Sequence, residues 1–200
     1  MTTAEPRFTA IDPARLQGPR VRLRRWQPDD LAPFAAMSAD AQTMAYFLST
    51  MDRTESELMA QRCQALIDAQ GWGFWAVELA GAGADGPFVG LCGLNRPAWP
   101  MPFAPCVEIG WRLARPWWGQ GLAAEAATLA LDVGFAELGL DEIVAFTAVD
   151  NRRSRALMER LSMARDEAED FDHPAVPDGH PLKRHVLYRL PRRDWTRTQP

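Results

Sequence analysis

The stretch from residue 106 to residue 138 limits the fold more than any other, because it predicts a strand, a tight turn and a long helix in succession. Residues 106–113 (CVEIGWRL) are typical of a strand, and residues 114–120 predict a turn. From residue 121 to residue 138, apolar side chains recur on one helical face. A strand that leads directly into a helix indicates a mixed α/β architecture.

Two glycines, Gly119 and Gly121, stand where this helix begins. Glycine permits a tight turn and lets a ligand approach the backbone closely. The first amides of a helix lack intrahelical acceptors and lie at the positive end of the helix dipole. The pattern therefore predicts a phosphate or pyrophosphate site at residues 119–123, with a tight turn that binds nothing as the alternative. It lacks the third glycine of a dinucleotide fingerprint and the Gly-Lys-Ser/Thr of a P-loop.

The rest of the chain adds hairpin strands before this segment, and a strand, a helix and a final strand after it. We predict one α/β (α+β) domain over residues 19–195, preceded by a polar N-terminal arm at residues 1–18 that is flexible or loosely docked. The four prolines of residues 95–105 predict a surface loop that covers a pocket with Trp99 and Phe103. Strands are predicted at residues 21–26, 73–79, 88–94, 142–148 and 184–190, and helices from residue 31, at 56–69 and at 152–161.

Charge and composition exclude several classes of protein. A net charge of −4 over 200 residues gives no basic footprint, so we expect neither a nucleic-acid partner nor a membrane partner. The apolar stretch at residues 121–140 is interrupted by Glu125, Asp132 and Glu137, which argues against a membrane span. The N-terminus lacks the apolar core of a secretory signal, and three scattered cysteines do not predict disulfides. We therefore expect a bacterial, cytoplasmic protein.

Residues 108–123, together with AVDNRRSRALMERL at residues 148–161, resemble the GNAT superfamily of acetyl-CoA-dependent N-acetyltransferases. The likeness extends from Val21 to Arg189 and is nearest to the ribosomal-protein-alanine (RimJ/RimL-like) branch. It implies a mixed, mostly antiparallel sheet with a splayed central strand pair and flanking helices. It also implies acetyl-CoA as co-substrate, with pantetheine in the gap and pyrophosphate on the helix amides. The cofactor-binding residues that it implies are Trp111, Leu113, Trp118, Gly119, Gln120, Gly121, Leu122, Ala123 and Asn151.

The sequence departs from the family pattern at two places. Pro116 stands where a Gln or Arg is common, and Trp118 precedes the first glycine where many members have a basic residue. We therefore expect backbone amides to carry pyrophosphate binding, with Arg115 or the arginines of residues 152–155 as charged helpers. Ser162 stands where relatives have a glycine, so we expect it to adopt the turn that glycine usually makes.

Three side chains are candidate catalytic residues. The resemblance implies that Ser154 protonates the CoA thiolate, and the alternative is that it satisfies a free amide of the first helical turn. Glu108 is a carboxylate in an apolar strand, where burial is costly without a task or a partner. The resemblance implies that it is a base acting through water, and an edge-facing carboxylate paired with an arginine is the alternative. His173 is the second candidate base, because its ordinary pKa lies near neutral.

Other polar groups are expected to be structural. We predict that His180 and His185 are structural or surface residues and that Tyr188 packs in the core. The three histidines lack metal-ligand spacing, so no metal is expected. A backbone amide near residues 111–113 is the expected oxyanion donor.

The leading hypothesis is an N-acetyltransferase whose acceptor is a protein N-terminus or a small-molecule amine. A non-catalytic CoA-binding sensor or scaffold, and more weakly a nucleotide-binding module, are the alternatives. The apolar loops favour a homodimer.

Overall fold

The computed structural model describes residues 11–81 and 86–196. Within these residues the chain forms eight strands and four α-helices, joined by short 3₁₀ turns. A π-helical turn, Val133–Glu137, extends the third helix. The elements are β1 Val21–Arg24, α1 Leu31–Ala39, α2 Arg53–Gln70, β2 Phe74–Leu79, β3 Phe88–Asn95, β4 Glu108–Leu113, α3 Leu122–Asp132, β5 Glu142–Ala148, α4 Arg152–Arg160, β6 Ala164–Arg165, β7 Phe171–Asp172 and β8 Arg184–Pro191.

The strands form one sheet in the order β1-β2-β3-β4-β5-β8-β6, with β7 also paired to β8. All neighbours are antiparallel except β4 and β5, which are parallel. Within the described chain, β4 and β5 share a single register pair, Glu108 with Val144, and the Val144 N–H donates to the Val107 carbonyl at 3.0 Å. Beyond this point the two strands separate. The predicted fold class is therefore confirmed, including the splayed central pair.

The helices cover both faces of the sheet, because successive strand residues point to opposite sides. Trp75, Cys92 and Trp111 lie side by side across β2, β3 and β4 and belong to the main core with α3 and α4. On the other face, Phe34 of α1 belongs to a second apolar cluster that includes Leu91 of β3. One face of the sheet beside the gap between β4 and β5 is therefore covered by α3 and α4, and the other by α1.

Most predicted elements are found within a few residues of the expected bounds. The strand predicted at 142–148 is confirmed as β5. Helix α2 begins three residues before its predicted start, because Asp52 accepts a hydrogen bond from the Glu55 amide and Glu55 accepts one from the Asp52 amide, each at 2.8 Å. Ser162 has φ 61°, which confirms that it adopts the turn usually made by glycine.

The flexible N-terminal arm is predicted over residues 1–18, of which residues 1–10 lie outside the described residues. Residues 11–18 are docked on the domain, with Leu16 buried in the main core and Ile11 packed against it. This packing agrees with the loosely docked alternative for residues 11–18, and the flexible arm stays a prediction. The bounds 19–195 stay a prediction. Strands β6 and β7 are not predicted by the sequence pattern, since two residues carry no measurable periodicity.

Candidate active site

The β4–α3 turn, residues 114–121, places glycine where the backbone requires it. A 3₁₀ turn, Arg115–Trp117, follows β4 and leads into Gly119 and Gly121, whose φ angles are 73° and 78°. Both values lie in the left-handed region that L-residues with a Cβ adopt at a cost. The chain therefore enters α3 through two turns that favour glycine, as the sequence pattern predicts.

The amides of this turn are free to bind an external acceptor. In the described part of the chain, no acceptor is found for the amides of residues 119–123, and Gly121 supplies no side-chain cap for α3. Unsatisfied N–H groups and the positive end of the α3 dipole meet at this point. Gly119, Gln120, Gly121, Leu122 and Ala123 are thus brought together as a backbone site that fits a pyrophosphate.

Trp118 braces the β4–α3 turn with its side chain. Its indole N–H donates to the Leu113 carbonyl at 2.7 Å, and the guanidinium of Arg153 on α4 lies 4.6 Å from its ring centroid. The indole nitrogen is therefore already used within the protein. Among the expected charged helpers, Arg115 donates to Gln42 and Arg155 donates to the Val149 carbonyl, each at 2.9 Å.

Arg20 is a neighbour of this turn that sequence reasoning missed. Its guanidinium donates to the Gln120 carbonyl at 2.7 Å and to the buried Glu125 carboxylate at 2.8 Å. Glu125 also accepts from the Arg20 and Val21 amides, at 2.6 and 3.0 Å, so it ties the start of β1 to the first turn of α3. A contact between residues a hundred positions apart leaves no local signal in the sequence.

Asn151 and Ser154 lie at the start of α4, which directly follows β5. The Asn151 side chain accepts from the Ser154 amide at 3.3 Å and donates to the Thr147 hydroxyl at 2.9 Å. Asn151 therefore caps α4, as predicted. The first turn of α4 is capped by the side chain of Asn151 and not by the hydroxyl of Ser154. The Ser154 residue is half-buried. The reactive role of Ser154 stays a prediction.

Glu108 lies where β4 and β5 are still in contact, at the closed end of the gap. Its Oε1 accepts from Asn95 Nδ2 at 2.8 Å. Burial raises the pKa of Glu108 to about 7, and the hydrogen bond from Asn95 opposes this shift. Among the described residues Glu108 makes no ion pair, so the arginine-paired alternative is wrong. A carboxyl with a pKa near neutral suits a general base.

His173 lies in an aromatic cluster on the same face of the sheet as Glu108. Its ring centroid is 4.8 Å from that of His185 and 5.9 Å from that of Phe146. Burial, together with the charge of Lys183, lowers the pKa of His173. Its Nδ1 accepts from the Ala175 amide at 3.2 Å, so in the neutral ring the proton is on Nε2. The structure brings His173 to this face, and no contact joins it to Glu108.

The remaining polar candidates have structural surroundings. His185 is buried, and burial lowers its pKa to about 4, so it is neutral near pH 7. The His180 Nδ1 accepts from the Leu182 amide at 3.1 Å. Tyr188 is buried in the main core and donates to Glu159 of α4 at 2.9 Å, which confirms its predicted packing role. In the described ranges, no group of three or more His, Cys, Asp or Glu side chains is arranged to hold a metal ion.

Two loops border the gap. In the loop at residues 95–105, Phe103 packs on Phe146 and Phe171, with ring centroids 5.8 and 5.0 Å apart, while Trp99 is 54% exposed. In the loop between α1 and α2, the Tyr46 hydroxyl donates to the Asp150 carbonyl at 3.0 Å. This second loop therefore reaches from α1 to the turn that precedes α4.

No helix in the described ranges is long and apolar enough to cross a membrane.

Comparisons with known proteins agree with this geometry. Residues 20–164 match the family described as an acetyltransferase (GNAT) domain. The uncharacterised protein YkkB of Bacillus subtilis is 29% identical over 145 residues, which cover 72% of this chain and 81% of YkkB. A crystal structure of an acetyltransferase from Agrobacterium tumefaciens has a TM-score of 0.68 and 26% identity, covering 88% of this chain and 92% of its own.

A second similar structure is that of Mycobacterium smegmatis RimJ in complex with CoA-disulfide. It has a TM-score of 0.65 and 22% identity, and the match covers 86% of this chain and 81% of RimJ. At this identity the likeness concerns the fold alone.

Proposed function

Because the chain belongs to the GNAT acetyltransferase family and is an acetyl-CoA-dependent acetyltransferase, we propose that it acetylates a primary amine by direct transfer in a ternary complex. The amine is that of a protein N-terminus or of a small molecule. The RimJ/RimL-like branch and a cytoplasmic location are parts of this proposal. So is the homodimer, which the exposed Tyr46, Phe47 and Leu48 favour.

The observation that carries the proposal is the run of free amides at residues 119–123 beside a gap between two parallel strands. In this proposal the amides hold the pyrophosphate, and Trp118 keeps the turn in place through its bond to Leu113. The gap beside Trp111 and Leu113 receives pantetheine, to which Asn151 hydrogen-bonds. Bound acetyl-CoA supplies a thioester-activated acetyl group.

Glu108 is the proposed base of the transfer. An alkyl amine is mostly protonated near pH 7, and its attack on the acetyl carbon requires the loss of a proton. Glu108, with its pKa of about 7, accepts that proton directly or through one water. His173 is the second candidate for this role. A backbone N–H of residues 111–113, on the edge of β4 that faces the gap, stabilises the developing oxyanion.

Ser154 is the proposed acid. As the new N–C bond forms and the C–S bond breaks, the Ser154 hydroxyl donates a proton to the departing thiolate. Its place on the first turn of α4 and the use of Asn151 as the cap support this role. The protonated amine loses two protons in all, one to Glu108 before the attack and one as the amide forms. Sulfur gains one proton from Ser154, the second amine proton restores the Ser154 hydroxyl, and Glu108 releases the first to solvent.

The test measures thiol release from acetyl-CoA with a panel of small amines and of peptides with free N-termini, alongside calorimetric titration with CoA. Saturable CoA binding with turnover of one acceptor class supports the proposal and identifies that class. Saturable binding without turnover of any amine contradicts it and favours the sensor or scaffold. Failure to bind CoA at millimolar concentration contradicts both. The Gly119→Ala variant, which alters only the turn, checks that binding uses the proposed site.

A further inference from the structure

Arg112 of β4 is a buried cation without an acidic partner. Its relative exposure is 6%, and within the described residues it makes no ion pair, while its Nε has no hydrogen-bond partner. Its Nη atoms lie against thioether sulfurs instead, with Met44 at 2.8 Å, Met59 at 3.2 Å and Met51 at 3.9 Å. Thioethers are weak acceptors, so the guanidinium keeps most of its capacity to donate.

No carboxylate of the described residues offsets the burial of this charge, which instead lies over the rings of Phe34 and Phe47, 5.4 and 5.0 Å from their centroids. Burial without a counter-ion disfavours a charge, and it lowers the pKa of Arg112 to about 10. The side chain therefore still carries its charge near pH 7. The Cys63 thiol beside it does not neutralise that charge, since burial raises its pKa to about 11. The buried carboxylate of Glu125, in contrast, is paired with Arg20.

Arg112 lies on the same face of β4 as Glu108, with Gly110 between them. Alternation along the strand places residues 108, 110 and 112 on one side, and Gly110 contributes no side chain to that surface. The Cα atoms of Glu108 and Arg112 are about 13 Å apart, from a rise of roughly 3.3 Å per residue. The ring of Phe74 lies against Gly110, so an acceptor that reaches from Glu108 to Arg112 crosses the surface of this ring.

The guanidinium is one side chain away from solvent. The ring of Phe47, in the loop between α1 and α2, lies 5.0 Å from it and is itself 49% exposed. Met44 and Met51 belong to the same loop. A shift of this loop moves Met44 and Met51 away from Nη1 and makes this donor available to a planar anion, while Met59 of α2 stays against Nη2.

We propose that Arg112 binds a carboxylate of the acceptor, so that the substrates are amines that also carry a carboxylate. The carboxylate replaces the thioether of Met44 on Arg112 while the amine lies toward Glu108. This inference rests on the proposed acetyl transfer and deepens it by naming the acceptor class. The carboxylate belongs either to a free amino acid or to an acidic residue of a short N-terminal peptide.

The experiment compares acceptors that differ only in this charge. Thiol release is measured for α-amino acids and ω-amino acids of increasing length against their carboxamides, and for peptides beginning Ala-Glu against Ala-Gln. The enzymes are the wild type, Arg112→Met, Arg112→Lys and the exposed control Arg62→Met on α2. CoA affinity and Tm are measured for each variant. The amino acid and peptide arms distinguish the two sources of carboxylate.

We expect the wild type and Arg62→Met to prefer the carboxylate over the carboxamide by roughly 10- to 100-fold in kcat/KM, because charge-assisted hydrogen bonds are the strong ones. In Arg112→Met the preference disappears through KM, while carboxamide turnover and CoA affinity stay near wild type. Its Tm does not fall, because an unpaired charge is removed. Arg112→Lys keeps part of the preference.

Two results overturn the inference. The first is a wild type that turns over amines with no preference for the carboxylate. The second is an Arg112→Met variant that loses both acceptors equally with a lower Tm, which is the mark of a structural residue. A wild type that turns over no amine at all contradicts the proposed acetyl transfer itself, and is recognised because the Arg62→Met control is equally silent.

Discussion

The β4–α3 turn presents backbone N–H groups from consecutive residues, whereas the Glu108–Arg112 side of the gap presents side chains whose surroundings come from distant elements. The turn is determined by two glycines and the start of a helix, all within a few positions. Glu108 depends on Asn95, and Arg112 depends on methionines of a loop and of α2. A backbone site is thus a local property of the chain, while a site of buried charges is a property of the fold.

The difference also concerns electrostatics. On the turn, the positive potential comes from fixed peptide dipoles and is independent of pH. On the other side, burial brings the pKa of Glu108 to about 7, so its charge changes within the physiological range. We therefore expect CoA binding to vary little with pH and acetyl transfer to vary strongly.

Replacing Glu108 tests this contrast most severely. Glu108→Gln retains the acceptor for Asn95 but loses the base, so we expect kcat/KM to fall by roughly 10²- to 10³-fold. In the wild type the rate rises with pH through an apparent pKa near 7 as Glu108 loses its proton, and this limb is absent in the variant. The pH profile of thiol release at saturating acetyl-CoA measures both, and calorimetry shows unchanged CoA affinity.

Asn95→Leu is the matched control for that assignment. Its side chain no longer stabilises the Glu108 carboxylate, so the apparent pKa of the profile moves upward. If the apparent pKa does not move, the rise of the rate with pH belongs to a group other than Glu108. His173 is then the next residue to substitute. Stability gives an independent readout: because the folded pKa exceeds the ordinary 4.5, stability decreases as pH rises from about 4.5 to about 7. Glu108→Gln removes this slope.

Ser154→Ala is expected to reduce kcat by about tenfold. The effect is smaller than that of Glu108, because a thiol with a pKa of ~8.5 leaves tolerably as the thiolate. The loss is largest at high pH for acceptors whose attack is fast, and it is measured by single-turnover thiol release. Ser154→Thr, which keeps the hydroxyl, serves as the control, and an equal loss in both variants argues for a packing role.

Gly119→Ala is expected to weaken CoA binding by about fivefold and to lower the free energy of unfolding by about 1 kcal/mol, because an L-residue is forced to a positive φ. Gly71→Ala is the matched variant: Gly71 has φ 84° at the end of α2, and at both glycines an added Cβ would meet open space. It should lose similar stability without losing CoA affinity. Equal CoA affinity in the two variants argues against the amide site.

Trp99→Ala has the smallest expected effect, a rise of about threefold in the KM for the amine with CoA affinity unchanged, since an exposed aromatic contributes modest contact area. Leu66→Ala, which removes another exposed apolar side chain on α2, is the control. Equal losses for amine and CoA contradict the idea that the loop at residues 95–105 covers the acceptor.

The two sides of the gap differ in how well sequence alone describes them. The glycine turn, the cap at Asn151 and strand β5 were predictable, because each depends on neighbouring residues and on periodicity. The unpaired state of Glu108 was not, since it required knowing that no arginine of the described residues forms an ion pair with it. Arg20 and Arg112 were missed for the same reason. The alternation of β1 and β4 does not show which arginine in or beside a strand has a carboxylate partner and which has none.

The use of peptide groups in the β4–α3 turn has a consequence for tolerance to substitution. Every amino acid except proline carries the same backbone donor, so exchanges at Gln120, Leu122 or Ala123 alter the side chain and leave the recognition element in place. The two glycines are restricted by their positive φ and Leu122 by its burial, so Gln120 and Ala123 are the positions where exchange is tolerated best. Pro116 and Trp118 lie outside the run of free amides at residues 119–123, so their side chains leave these backbone donors in place.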